Sequence, residues 1–319
     1  MRLAALIEGA KLARNIPTQM VPCPICGSQA FETLARQDRY AMKITTSACS
    51  GCGLIMTNPQ PTSAFLDDFY RSLYRPFYRR VETPSATDIK RLNIDVRSTY
   101  TVDRMRALGV TANMNSMLDL GCGDGSLLRE VGRQFPQASR SGIEPGSNFR
   151  AFARDFAACP VEASLDELDP NARFDVITMI HVLEHVADPV TYLKSLKARL
   201  NPGGKLYIDV PDVERYRSVA DLHIAHIYHF TADSLARLLE KAGFGVARVE
   251  RHNPPSHPQS ITGIATLEKQ AQAPIAESSN GAARDAIRKI DSQAGFQLAR
   301  VYLIDPILLR LGLKPASKS

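Results

Sequence analysis

The stretch Met117-Leu118-Asp119-Leu120-Gly121-Cys122-Gly123-Asp124-Gly125 constrains this chain more than any other. Leu118 and Leu120 are the apolar residues of a buried strand. Leu127, Leu128, Val131 and Phe135 then recur at helical spacing. Between them, Gly121, Gly123 and Gly125 permit positive φ and close backbone approach. A strand, a glycine turn and a helix in that order point backbone N–H groups at a ligand bound at the carboxyl end of the strand. That ligand does not read as a dinucleotide, whose fingerprint is Gly-x-Gly-x-x-Gly. Position 126 is Ser, and the third glycine falls one residue early. Asp119 sits within the strand end, where a carboxylate suits a positively charged ligand better than a pyrophosphate. Glu144, in Gly142-Ile143-Glu144-Pro145, ends a second strand about 20 residues beyond the turn, where an acid can hold ribose hydroxyls.

Together these residues resemble the class I S-adenosylmethionine-dependent methyltransferases. The resemblance implies that Asp119, Gly121, Cys122, Gly123 and Gly125 carry the methionine end of the cofactor. It implies also that Glu144, with Pro145, grips the ribose. The downstream pattern agrees. Phe174–Ile180 is a fourth apolar strand, and Asp188-Pro189 starts a helix with Val190, Leu193, Leu196 and Leu200 on one face. Asn201-Pro202-Gly203-Gly204 stops that helix, and Leu206, Ile208 and Val210 alternate as a fifth strand. Thr231 caps a helix that Gly243 ends, and Val246–Val249 and Ile261–Leu267 supply the last strands. The expected fold is α/β, a doubly wound Rossmann-like sheet of the seven-stranded methyltransferase type. The resemblance adds an antiparallel final strand.

A second site precedes this domain. Cys23-Pro24-Ile25-Cys26-Gly27 and Cys49-Ser50-Gly51-Cys52-Gly53 are paired Cys-x-x-Cys knuckles with near zinc-site spacing. Each has a glycine after its second cysteine, where the backbone turns so that amides approach the thiolates. The segment is short and poor in aliphatics, so structural Zn2+ held by Cys23, Cys26, Cys49 and Cys52 would supply what its core cannot. Paired disulfides are the competing reading. Nothing looks secretory, and Cys122 and Cys159 have no evident partner.

Asn58-Pro59-Gln60-Pro61 then leads into Phe65, Leu66, Phe69, Tyr70 and Tyr74. Ribbon, proline hinge and aromatic helix resemble a methyltransferase subfamily with an N-terminal zinc domain, best known for C-methylating nucleotide-linked deoxysugars. The resemblance spans roughly residues 20 to 268, and the sugar enzymes carry a further C-terminal domain that this chain is too short to hold. Tyr70 and Tyr74 are read as acceptor-side residues of a lid. Arg71, Arg75, Arg79, Arg80, Lys90 and Arg91 interleave with aromatics here, a pattern that can also bind single-stranded RNA.

The expected organisation is an N-terminal helix (1–20), a zinc ribbon (21–57), linker and lid helices (58–110), the cofactor-binding domain (111–269) and a C-terminal helical extension (270–319). No apolar run spans a bilayer, and Arg2, Glu8, Lys11 and Arg14 break up any signal peptide, so the expected location is cytoplasmic. A net charge of +6 fits an anionic small-molecule acceptor, such as a nucleotide-linked sugar, and fits charge for solubility alone equally well. Apolar residues from Phe296 to Leu313 offer a peripheral membrane or partner contact, or a face that packs back onto the catalytic domain.

Methyl transfer to a hydroxyl or carbon acid also needs a base. The candidates lie in Ile180-His181-Val182-Leu183-Glu184-His185, directly after the fourth strand. His185 supported by Glu184 is the first choice. His181 is the alternative, at a position that in the family often lines the cofactor near its sulfur. The same residues match the His-x-x-Glu-His pattern of zinc peptidases, which requires a helix and a distant third ligand. His223, His226 and His229 form another cluster, and the resemblance places His226 and His229 beside the acceptor.

Overall fold

The computed structural model describes residues 16–40, 42–70, 83–255, 259–268 and 274–299. Tyr74, most of the basic aromatic lid, the N-terminal helix and the apolar tail beyond Ala299 lie outside them. In chain order the strands begin with β1 (Thr18–Gln19), β2 (Phe31–Ala35), β3 (Thr46–Cys49), β4 (Ile55–Thr57) and β5 (Gln60–Pro61). Helices α1 (Ser63–Asp68), α2 (Ala86–Arg91) and α3 (Ile94–Ala107) follow. Next come β6 (Ser116–Leu120), α4 (Ser126–Gln134), β7 (Ser139–Ile143), α5 (Ser147–Ala157), β8 (Val161–Glu162), β9 (Phe174–Ile180), α6 (Pro189–Lys197) and β10 (Leu200–Pro211). The described residues end with β11 (Tyr228–His229), α7 (Ala232–Lys241), β12 (Gly245–His252), β13 (Ser260–Thr266) and α8 (Asn280–Ala299).

The chain forms two compact units that do not follow chain order. One comprises residues 1–66, 213–229 and 279–319, the other 67–212 and 230–278. The sequence reading expected contiguous domains, because neither the loop after β10 nor the C-terminal helix bears a local mark of belonging with the ribbon.

The larger unit holds a seven-stranded sheet in the order β12-β13-β10-β9-β6-β7-β8. β6 pairs in parallel with β7 and β9, and β9 with β10, whereas β13 is antiparallel to both β10 and β12. The expected strand set and its antiparallel last strand are therefore present. Helix boundaries follow their caps. Asp188 accepts a bond from the Thr191 amide at 3.0 Å, Thr231 accepts one from the Ser234 amide at 3.1 Å, and Gly243 ends α7 at φ 83°. Helix α6 ends at Lys197, so Leu200 belongs to β10 rather than to the helix face, and Asn201–Gly204 lies within that strand instead of stopping the helix. β10 already pairs from Leu200 and its register to β9 shifts before Lys205, with Gly203 at φ 75°. On one face of the sheet, Val102 and Met105 of α3 and Leu127 and Val131 of α4 bury Met117, Val176, Tyr207 and Ile264.

The smaller unit is built on a four-stranded sheet, β11-β4-β3-β2, with all neighbours antiparallel. Leu34, Ala35, Ala48 and Ile55 from it share a core with Val213, Val219 and Leu222, and with Ala283, Ile287, Ile290 and Ala294 of α8. The apolar residues of α8 fall at four- and three-residue steps, one helical face. Of the apolar tail that the sequence left open, the described side chains divide: Leu298 packs against this core, whereas Phe296 is 69% exposed.

Candidate active site

The glycine turn forms because three consecutive odd positions take a conformation that side chains resist. Gly121, Gly123 and Gly125 have φ of 66°, 60° and 78°. A Cβ at Gly121 would also meet Val182 Cγ2 at 2.6 Å, so the loop after β9 closes directly on this turn. The Cys122 amide bonds the Ile143 carbonyl at 2.9 Å, and the Gly125 amide bonds the Cys122 carbonyl at 3.0 Å. Cys122 acts here through its backbone, its thiol being buried among Leu128, Ala153 and Val161.

Glu144 stands where β7 ends. One carboxylate oxygen accepts the Gly123 amide and the other the Gly146 amide, each at 3.0 Å. Glu144 thereby braces the turn from both of its oxygens. The carbonyls of Glu144 and Pro145 both accept from Arg150, at 2.9 Å.

Asp119 is 3% exposed at the end of β6. It accepts a 2.6 Å bond from the Thr178 hydroxyl on the neighbouring strand. Burial pushes its carboxyl up to about 7, against the pull of Thr178 and of the Arg97 guanidinium on α3. Arg97 and Thr178 are absent from the sequence reading. Neither belongs to the turn motif, and their proximity to Asp119 comes from strand pairing and helix packing.

The loop after β9 gathers the acid–base candidates. His181 has φ 54°, a left-handed value that few non-glycine residues adopt, and its amide bonds the Asp209 carbonyl at 2.8 Å. Its Nδ1 lies 3.3 Å from Glu184 Oε1, and His185 Nε2 lies 3.9 Å from the same oxygen. Glu184 is 1% exposed, so a buried carboxylate backs both imidazoles. Tyr70 meets the His185 ring edge to face at 5.7 Å, which brings one acceptor-side residue of the sequence reading to the candidate base. The segment Leu183–His185 is a single 3-10 turn rather than an α-helix. The peptidase pattern is therefore not met in the form it requires.

A further polar chain ends on the same strand. Asp209 accepts Thr262 Oγ1 at 2.6 Å and contacts His252 Nε2 at 2.9 Å, and His252 Nδ1 lies 3.1 Å from the Tyr100 hydroxyl. No sequence pattern marked it, because these residues are scattered over α3 and three strands.

His226 and His229 lie in the smaller unit. His229 is 2% exposed, its Nδ1 sits 3.3 Å from the Tyr216 hydroxyl, and burial pushes its pKa down to about 4. The His226 ring lies 3.6 Å from that of His223, and its carbonyl accepts the Thr57 hydroxyl at 3.2 Å.

The four knuckle cysteines converge. Cys23 and Cys52 sulfurs are 3.4 Å apart, Cys26 and Cys49 sulfurs 3.5 Å, and all four lie within 4.8 Å of one another. A tetrahedron of Zn–S bonds of about 2.3 Å has sulfurs about 3.8 Å apart, so the donor set suits zinc. All six cysteines are free thiols. Gly27 and Gly53 take φ of 76° and 83°, and their amides close turns onto the Cys23 and Cys49 carbonyls at 2.8 and 2.9 Å. The hydrogen bond between Cys23 and Cys52 pulls Cys52 down to about 5 and, with burial, pushes Cys23 up, so these two sulfurs share a proton.

The parallel sheet, its antiparallel last strand and the braced glycine turn make a Rossmann-like fold of the methyltransferase type. Residues 92–249, just under half of this chain, match a family described as a methyltransferase domain. Among similar curated proteins, a tRNA U34 carboxymethyltransferase of Nautilia profundicola is 30% identical over 141 residues, 40% of this chain and 47% of that protein. A ubiquinone biosynthesis O-methyltransferase of Bradyrhizobium diazoefficiens is 32% identical over 98 residues, 29% of this chain and 38% of that protein. The chain thus spans less than half the length of these relatives. A solved magnesium protoporphyrin IX methyltransferase of Synechocystis PCC 6803 with bound SAH aligns at 16% identity over 64% of this chain and 99% of that one, TM-score 0.46.

A pH dependence of cofactor binding follows from Asp119. Its carboxyl titrates at about 7 when free, and a cationic ligand beside it favours the charged form. Binding should expel a proton, so affinity should fall as pH drops below 7, approaching tenfold per unit, and level off at higher pH. Titration calorimetry of S-adenosylmethionine in two buffers of different protonation enthalpy measures that proton. A heat identical in both buffers would contradict the assignment.

Proposed function

We propose that this protein is an S-adenosylmethionine-dependent methyltransferase acting on a small-molecule acceptor, a sugar or another secondary-metabolite or cell-surface precursor, anionic or nucleotide-linked. The observation that supports it most is the juxtaposition of Asp119 and Glu144 around one glycine turn, with His181, Glu184 and His185 on the loop that closes over it. The cysteine site is read as structural Zn2+, since four thiolates leave no coordination position open. Unbridged thiols fit a cytoplasmic protein. Among the described residues, no helix is long and apolar enough to cross a membrane.

When bound, the cofactor supplies a sulfonium methyl group open to in-line displacement. Backbone amides of the turn, Asp119 and Glu144 would fix the donor, so that the acceptor need only be brought into line. As the acceptor lone pair bonds to the methyl carbon, the acceptor's own proton must leave. In this reading His185 takes it, supported by Glu184 Oε1 at 3.9 Å, which would stabilise the imidazolium, and by the Tyr70 ring against its edge. His181 is the alternative base. Replacing His185 with Gln should slow turnover about 10²- to 10⁴-fold and leave cofactor affinity nearly intact. Retained turnover would move the base elsewhere or show that the acceptor needs none.

The relatives above share the cofactor-binding domain and differ in acceptor, so the likeness to a tRNA-modifying enzyme does not select RNA. Native mass spectrometry of the purified chain with added cofactor tests the main reading. One zinc with bound S-adenosylmethionine or its demethylated product supports it. Zinc without nucleoside, together with salt-sensitive RNA retention and no methyl transfer, would replace it with an RNA-binding module.

A further inference from the structure

Two side chains of α8 reach the cysteine knuckle that contains Cys49 and Cys52. Arg284 Nη2 donates to the Cys49 carbonyl at 3.4 Å, and its Nη1 donates to Glu32 at 3.3 Å on the strand paired with β3. One helical turn earlier, Asn280 Nδ2 donates to the Cys52 carbonyl at 3.5 Å. The next residue is Gly53, where a Cβ would overlap the Asn280 amide. Arg288 also pairs with Glu32, and the Arg36 amide donates to Asp291 at 3.0 Å. These contacts join residues more than 200 positions apart in the chain. Beneath them, Ala283, Ile287, Ile290 and Ala294 bury their side chains in the ribbon's core.

We propose that α8 is part of the metal centre, with Arg284 and Asn280 as positioning residues, so that metal occupancy and docking of α8 are one coupled equilibrium. This rests on the reading of the four cysteines as a zinc site. A divalent ion on four thiolates leaves two net negative charges, which favour a nearby guanidinium. That guanidinium also ties down the carbonyl of a ligand residue. Outer groups of this kind typically contribute 10- to 100-fold to metal affinity. Coupling is reciprocal, so losing the ion must weaken docking of α8 as much as losing α8 weakens the ion. The ribbon would then report its metal content to the C-terminal segment.

The test uses the full chain as purified, with zinc content read by native mass spectrometry. Zinc transfer to a metallochromic chelator gives the release rate, and hydrogen exchange follows residues 280–299 before and after chelation. Arg284→Ala and Asn280→Ala should each release zinc on the order of tenfold faster, with Arg284→Lys in between. In the wild type, chelation should raise exchange across α8 while α4 stays protected, and added zinc should restore it. Wild-type release rates in both alanine variants would overturn the proposal, as would α8 exchange indifferent to zinc in the wild type. The exchange measurement decides the matter even if a variant folds poorly. Absence of any metal in the wild type would overturn the zinc reading itself, whereas bound zinc with an indifferent helix overturns only the coupling.

Discussion

Replacing Glu144 with Ala is expected to weaken S-adenosylmethionine binding by at least two orders of magnitude. A carboxylate holding two ribose hydroxyls makes two charge-assisted hydrogen bonds, each contributing about 1.5–3 kcal/mol. Their loss, about 3–6 kcal/mol, corresponds to roughly 10²- to 10⁴-fold in Kd. The unliganded site adds to this, because the same carboxylate braces the Gly123 and Gly146 amides at 3.0 Å. Without it, the turn that presents the backbone to the ligand loses its anchor. Glu144→Gln keeps one carbonyl oxygen and should lose less. Asp119→Ala is expected to abolish binding as well, for a different reason. It removes a buried carboxylate that Thr178 already orients at 2.6 Å and leaves a cationic ligand without its counter-charge. Calorimetric titration with the demethylated cofactor, checked by circular dichroism for intact folding, measures both. An unchanged Kd in either variant would remove that residue from the cofactor site.

The second large effect is expected at the cysteines. Cys49 is fully buried at the end of β3, and its sulfur is one of four within 4.8 Å. Structural zinc in such a site contributes about 10–16 kcal/mol of apparent binding free energy, which a small ribbon spends on folding. Cys49→Ser should reduce bound zinc from one to near zero per chain. It should also abolish cooperative melting of the ribbon unit, whose sheet strands are at most five residues long. Chelation of the wild type should have the same effect. The proposed cofactor residues Asp119 and Glu144 belong to the other unit, so cofactor binding should change far less. Cys159→Ser, at a half-buried thiol away from the knuckles, is the control. Retention of zinc by Cys49→Ser would mean that the ion sits elsewhere.

The chain's local order marked both candidate sites. A glycine turn is legible because positive φ at Gly121, Gly123 and Gly125 demands that residue at those positions. Glu144 is legible because one βα step fixes its distance from the turn, and the knuckles because four ligands arrive as two short pairs. The seven-stranded sheet was readable for a similar reason, each strand and helix having its own period and its own cap. Tertiary structure decided what depends on residues distant in sequence. Thr178 reaches Asp119 across 59 residues because β9 lies beside β6, and Arg97 approaches it because α3 packs over that face. The loop 213–229 and α8 join the ribbon because its three short strands cannot bury Leu34, Ala48 and Ile55 alone. Spacing carries no mark of such a need. An apolar helical face records that it must be covered, and only the folded chain shows by what.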